Sequence, residues 1–539
     1  MTTETIPPYP PIEPSHFDLI VIGTGLPSSI ISAAASTAAK SVLHLDSNSF
    51  YGSHFSSLPL HDVTSFLTTS SSDHDDVTDD VIFRQIYSDV EIKCYDESVN
   101  ECSRKFSLDV SGPRVLFCAD ECVNLLLRSG GNQYVEFKNI DASFVAGESG
   151  ELVSVPDSKS AVFKDRTLKF SEKNQLNSFF KMVQGHLSGE MRIEDEDLES
   201  SFVTFLDKMK LPPKIKSIIL YAIAMVDYDQ DAGDSCKNIL KTKDGIDRLA
   251  LYHSSVGRFP TALGALLYPL YGQGELPQAF CRRAAVKGCL YVLRMPVISV
   301  LLNEDGGTYK GVKLVSGQEI TSDKLVMDPS ITITSSPVNP PSEDVSKVFK
   351  VGGVSGKVAR GICITKSSLK PNISSCLVIY PPRSLYPDQA TSVRVLQLGS
   401  NIAVCPSGMF VVYFSALCDD ALEGKKSLHA AIDSLFSVHT LDTADSSSTD
   451  LADSAEAKDR AEVKPTLLWS ALYIQDLIEG SMGPVVTTPT PDGNFNYNDL
   501  IGSTSKLFQK LYPDDEFFPE TINTDPSDKL DDDSDLLES

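Results

Sequence analysis

The chain has 539 residues, 41% of them hydrophobic, which is enough for more than one core and suggests two or three domains. Asp plus Glu number 73 against 47 Lys plus Arg, a net charge of −26. A surface this acidic repels a phosphate backbone, and with no local basic patch a nucleic-acid role is excluded. No window approaches the roughly 18 consecutive apolar residues of a membrane span. The start (MTTETIPPYPPIEPSHF) has neither a basic end nor an apolar core, so no signal peptide is expected, and the end (DLLES) offers no terminal Cys for prenylation. Eleven Cys, scattered and without CxxC spacing, read as reduced, mostly buried thiols; Cys118 with Cys122 and Cys281 with Cys289 lack the nearby ligands a metal site needs.

In chain order, residues 1–15 are Pro-rich and read as disordered. Phe17 to Ile22 is an apolar run interrupted only by Asp18, as a strand buried on both faces requires. A Gly turn, an Ala/Ser/Ile-rich helix over Ser28 to Ala39 and a second strand over Ser41 to Leu45 complete a βαβ start. Residues 61–80 are polar and acidic and read as an exposed loop. A helix is expected after Asp120, where Val123, Leu126 and Leu127 share one face. From about 158 to 256 the pattern is helical. Leu176, Phe179, Phe180, Val183 and Leu187 form one stripe, Phe202, Phe205, Leu206 and Met209 a second, and Ile215, Ile218, Ile219, Ala222, Ile223 and Val226 a third. Strand patterns return after Tyr268, in LYVLRMPVISVLL, YKGVKLV and KLVMD. Residues 440–463 read as a low-complexity acidic linker and the tail from Asp525 as disordered.

Gly23-Thr24-Gly25-Leu26-Pro27-Ser28 follows a strand and opens a helix, and Asp46 ends the next strand. That is the context of a dinucleotide fingerprint, with a pyrophosphate on the helix N-terminus. Two details oppose binding. Ser28 replaces the third Gly, and Pro27 removes an N–H that would face a phosphate, while suiting the first helical turn. No second Gly-rich flavin segment, GxSxG, HExxH or GxxxxGK[ST] is present. The motif (Gly23, Gly25, Ser28, Asp46) is therefore expected to be structural, with no cofactor, metal or catalytic residue.

Three blocks now stand in order: FDLIVIGTGLPSSIISAAAS with SVLHLDSNSFYGS, then SGPRVLFCADECVNLLLRSGGNQYVEFKNID, then LYPLYGQGELPQAFCRRAAVKGCLYVLRMPV. They resemble the Rab GDP-dissociation inhibitor and Rab escort protein superfamily over roughly residues 16–330, with weaker traces to 520. The acidic insertions after Leu60 and near 440–463, and the ending LFQKLYPDDEFFPE, resemble the escort branch. The resemblance implies an α/β fold: a FAD/NAD(P)-binding-like (GDI-like) domain in segments 16–157, 257–439 and 464–524, with an all-α domain inserted at 158–256.

It also implies a function without catalysis. An escort protein binds unprenylated, GDP-bound Rab GTPases and presents them to the α and β subunits of Rab geranylgeranyltransferase. It then keeps the geranylgeranylated product soluble in the cytosol, with transient membrane association on delivery. By the same resemblance Tyr51, Glu275 and Arg282 match the Rab-binding platform, and Leu290 and Val292 the mobile loop beside it. Gly288-Cys289 stands for the family's paired Gly, and Phe50-Tyr51-Gly52-Ser53 for its YYGG. A lipid groove is expected in the helical domain, with Phe202, Phe205, Met209, Ile219 and Ile223 as candidates. On chemistry alone, Glu275 and Arg282 could pair across a turn, Tyr51 could be a packing residue, and the helical side chains could simply fill a core. The acidity suits partners with basic tails or plain solubility. The alternatives are a dissociation inhibitor, a flavin-dependent oxidoreductase using GTGLPS, or a scaffold without Rab specificity.

Overall fold

A computed structural model describes residues 10–68, 81–83, 86–147, 150–156, 169–262, 264–303, 308–337, 347–348, 353–437, 464–478 and 485–519. The βαβ start forms as a strand His16–Ile22, a helix Leu26–Thr37 and a strand Val42–Leu45, with the two strands parallel. They belong to a ten-stranded sheet. One edge is the short strand Leu290–Val292, which lies parallel to Val42–Leu45; on the other side of His16–Ile22 runs Glu319–Met327, also parallel. Because side chains alternate across a strand, Leu19 and Val21 enter one core with Ile30 and Ala34 of the first helix. Ile20 and Ile22 enter the opposite core with Leu43, Leu45 and Val300. Burial on both faces is why these strands read as unbroken apolar runs.

A second, eight-stranded sheet is built from widely separated segments, including Tyr87–Cys94, Val354–Thr365, Cys376–Tyr380, Val393–Gly399, Phe410–Cys418 and Leu467–Ile478. Val378, Val395 and Ile474 pack on one face with Leu428 and Ile432 of the helix Ala421–Leu435. On the other face Leu377, Ile379 and Leu396 share a core with Leu176, Phe205, Ile219 and Ile246, which come from the helical segment. That segment holds helices Phe170–Leu187, Asp195–Glu199, Phe202–Lys208, Pro213–Ser217 and Thr242–Ser255. Ile218–Ile223 continues the fourth as a π-helical turn. The apolar stripes are thus packed against the second sheet as well as against one another, with Phe180 and Met209 half-buried and Leu187, at the end of the first stripe, exposed.

Two expectations are corrected. Leu60–Thr68 is a helix, since Leu60, Val63 and Leu67 recur at helical spacing and are buried; the rest of the expected loop, 69–80, lies outside the described residues. The expected disorder of 1–15 does not extend to Ile12, which is buried and bonded in both directions to the Gln318 side-chain amide. The acidic segment 440–463 and the tail from 525 also lie outside the described residues. Among the described residues no helix is long and apolar enough to cross a membrane.

Candidate functional site

The turn Gly23-Thr24-Gly25 adopts the fingerprint geometry but is occupied by the protein itself. Gly23 has φ +91°, a conformation L side chains rarely adopt. The Thr24 N–H and hydroxyl both donate to Asp46 Oδ2, at 2.8 and 2.5 Å, so the acid placed for a ribose hydroxyl is turned onto the turn. Burial raises the pKa of Asp46 against these bonds. A Cβ on Gly25 would stand 3.5 Å from the Phe55 ring and 3.6 Å from Asp328 Oδ2. A carboxylate and an aromatic ring therefore sit at the helix N-terminus where a pyrophosphate would lie, and Pro27 withholds an N–H. Like charge and lost volume both oppose a dinucleotide, and these residues do not fit one. Ser28 is buried in the first helix.

The outer surface is organised differently. The helix Glu275–Val286 starts from a tight turn, Gly272 to Gly274. A Cβ on Gly272 (φ +106°) or Gly274 would collide with Ser57, so the turn lies directly on the Ser57–Leu58 strand. Beneath it, the buried carboxylate of Asp109 accepts from the Ser57 hydroxyl, the Tyr268 hydroxyl and the Gln273 N–H (2.9 Å). Burial outweighs those bonds and pushes the Asp109 pKa up to about 7.

On the helix, Glu275, Gln278 and Arg282 recur at i, i+3 and i+7 and so share a face. Gln278 Nε2 donates to Glu275 Oε1 at 3.3 Å. Burial raises the Glu275 pKa, opposed by the Arg282 charge. Among the described residues no ion pair joins the two, although the Arg282 charge acts on Glu275, and Arg282 is exposed. Tyr51, Gln278, Cys281, Arg282, Ala285, Cys289 and Tyr291 line an open cavity of about 340 Å³. Tyr51 and Tyr291 meet edge to face at 5.9 Å, and burial raises the Tyr51 pKa.

Tyr51, Glu275 and Arg282 are thus brought onto one surface. Leu290 and Val292 are not part of its cavity. Alternation along the edge strand sends Tyr291 toward Tyr51 and His44, and Val292 into the opposite core, while Leu290 is exposed. The members that sequence reasoning missed are Gln278 and Tyr291. Helical spacing from Glu275 marks the first, and the phase of the strand marks the second.

The five lipid candidates form no open groove. Phe202, Phe205, Ile219 and Ile223 are buried in the core shared with the second sheet, and Met209 packs against it half-exposed. Apolar residues around most of a helix's circumference are the pattern of an interior helix, and these side chains fill that interior.

The family model for GDP dissociation inhibitors matches residues 14–463. The chain belongs to the GDP dissociation inhibitor family. Within it the chain is 53% identical over 545 residues to Rab escort protein 1 of Arabidopsis thaliana, covering 96% of both chains. It is 28% identical to the Rab proteins geranylgeranyltransferase component A of Drosophila melanogaster, covering 94% of this chain and 90% of that one. In three dimensions it is similar to a Rab GDI from Plasmodium falciparum, with a TM-score of 0.67 at 18% identity, over 93% of this chain and 99% of that one. The family fold, α/β with a helical insertion, is therefore that of this chain.

Proposed function

We propose that this chain is an escort for Rab GTPases. It binds the GDP-bound, unprenylated GTPase, presents it to the α and β subunits of Rab geranylgeranyltransferase, and keeps the geranylgeranylated product in the cytosol until a membrane receives it. It makes and breaks no bond itself. The observation that carries the reading is the row of half-buried Glu275 and Gln278 with exposed Arg282 beside the Tyr51 cavity, on a scaffold whose nucleotide turn is lined by its own side chains. Tyr51 offers an apolar face with a polar tip, and Arg282 a planar fork for a carboxylate or carbonyls. The full-length likeness to a protein named Rab escort protein 1 supports the choice of branch.

The lipid is assigned to the helical segment as a region. Ile219 and Ile223 stand on the π-helical turn, a rare geometry that is frequent at functional sites, and the helices must part from the second sheet to admit a chain there. A fluorescent prenyl probe whose binding ignores bulky substitutions at Ile219 or Ile223 would restrict them to the core.

The deciding experiment is reconstituted prenylation: αβ transferase, lipid donor and unprenylated GDP-bound Rab, with and without this chain. Transfer that requires the chain is expected. Extraction of prenylated Rab from membranes without support of transfer would make it a dissociation inhibitor, and a yellow, flavin-loaded preparation would overturn the reading. Tyr51→Ala and Arg282→Ala are expected to weaken Rab binding at least about tenfold without unfolding the protein.

A further inference from the structure

Ten large apolar side chains are exposed among the described residues, and three of them, Tyr271, Val286 and Leu290, fall between residues 271 and 290. Val286 (66% exposed) closes the C-terminal end of the helix that carries Glu275, Gln278 and Arg282. Tyr271 (59% exposed) stands in the turn before its N-terminal end. The backbone of Tyr271 is at φ +69°, in the left-handed region that favours glycine and is an outlier for a bulky residue.

That conformation is firmly held. The Tyr271 N–H donates to the Ile402 carbonyl at 3.0 Å, and its carbonyl accepts from the Ser107 hydroxyl at 2.5 Å. Gly272 follows at φ +106°, pressed onto Ser57 and Asp109 so closely that no Cβ fits. The strain is imposed by the same turn that starts the platform helix, whose Glu275 N–H bonds the Gly272 carbonyl at 3.3 Å.

The side chain returns nothing to the fold for that strain. Its ring is largely in solvent, and among the described residues its hydroxyl makes no hydrogen bond. Gly or Asn would take this backbone more easily. A strained residue with an outward, unpartnered aromatic ring is explained by a use outside the chain.

We propose that Tyr271 is a partner-contacting residue that extends the platform past Glu275, laying its ring on an apolar patch of the GTPase. The inference rests on the platform reading above. Tyrosine suits the role, since it offers a large rigid face with a polar tip at low cost in side-chain freedom.

The test compares Tyr271→Ala, Tyr271→Gly, Tyr271→Phe and Arg282→Ala in the full chain, reading affinity for unprenylated GDP-bound Rab and the melting temperature. Tyr271→Ala and Tyr271→Gly are expected to weaken binding about tenfold, and Tyr271→Phe less than about threefold. The melting temperature should hold for Ala and rise for Gly, which relieves the strain. If Arg282→Ala weakens binding while all Tyr271 variants bind as the parent, the Tyr271 inference is wrong and the platform stands. If Arg282→Ala and Tyr271→Ala both bind unchanged, the platform reading itself fails. A loss of affinity accompanied by a lowered melting temperature in both Ala and Gly variants would make Tyr271 structural and overturn the inference.

Discussion

Asp109→Asn probes the foundation of the platform turn. The carboxyl of Asp109 is fully buried, with three donors aimed at it, and burial places its pKa near 7 rather than in the ordinary carboxylate range. In the unfolded chain the same group titrates near 3.9. A raised folded pKa means the native state holds the proton more tightly. The resulting stabilisation is fully present below about pH 4 and is lost as pH rises through about 7. At about 1.4 kcal/mol per unit, moving from pH 5 to pH 8 removes roughly 2–3 kcal/mol.

Asn has nearly the same shape and no proton to lose. It keeps an acceptor for the Gln273 N–H and offers its amide to the Tyr268 oxygen. The variant should match the parent most closely at pH 5 and gain on it by roughly 2–3 kcal/mol by pH 8. Asp120, which caps the helix Glu121–Ser129 and is also pushed up to about 7 by burial, titrates in both proteins and cancels in the comparison. The assay is urea unfolding at pH 5, 6, 7 and 8, with midpoint and slope recorded for each protein. Parallel pH profiles would refute the argument, because Asp109 would then titrate alike folded and unfolded. Asp109→Ala is the harsher change. It strands buried donors at about 1–3 kcal/mol each, and by loosening the Gly272–Gly274 turn it should weaken Rab binding as well.

Three further outcomes are expected. Gly245→Ala should destabilise by about 1–3 kcal/mol in a thermal melt despite alanine's better helix propensity, because its Cβ would lie 2.6 Å from the Phe202 ring; an unchanged melt would mean that the helix contact is slack. Asp492→Ala should cost about 3–5 kcal/mol in chemical denaturation, since its carboxylate is 2.7 Å from the fully buried Arg114 guanidinium and the equally buried Arg360 lies close by with the same charge. Stopped-flow association with a Rab bearing a basic tail should slow with added salt, given the net charge of −26; a salt-independent rate would leave the acidity as solubility alone.

What could be read from the sequence follows physical range. The βαβ start was legible because one local pattern, an apolar strand, a Gly turn and a small-residue helix, sets all of it. The helix at Leu60–Thr68 was hidden by its polar residues, although Leu60, Val63 and Leu67 carry the period. The second sheet was not legible as a unit, since its strands are drawn from residues 87 to 478 and pairing over such distances leaves no local mark. At the candidate site, Glu275 and Arg282 lie on one helix and their shared face follows from spacing. On the neighbouring edge strand Tyr291 faces the cavity while Leu290 and Val292 point to the other side, as a period of two requires. Phe202 and Ile219 show why a lipid groove cannot be told from a core by composition: both demand the same apolar side chains, and only their neighbours differ.

The closure of the nucleotide turn and the making of the outer surface are one structural event. Thr24 donates its hydroxyl proton to Asp46 while its oxygen accepts from the Gly52 N–H at 3.0 Å. Asp46 also takes the Asn48 N–H at 2.8 Å through its second oxygen. Asp46 and Gly52 bracket the loop that carries Tyr51, so the polar groups of the Gly23-Thr24-Gly25 turn and of Asp46 hold the two ends of that loop. Phe55 fills the space over Gly25, and two residues later Ser57 supports the turn of the platform helix from below. A cofactor in that cleft would have to displace Phe55 and Asp328 and would disturb the segment from Asp46 to Ser57, on which Tyr51 and the start of the Glu275 helix both depend. The hydrogen bonds that hold the inner turn thus also hold the loop from Asp46 to Ser57, so a substitution at Thr24 or Asp46 reaches Tyr51 and the turn before Glu275.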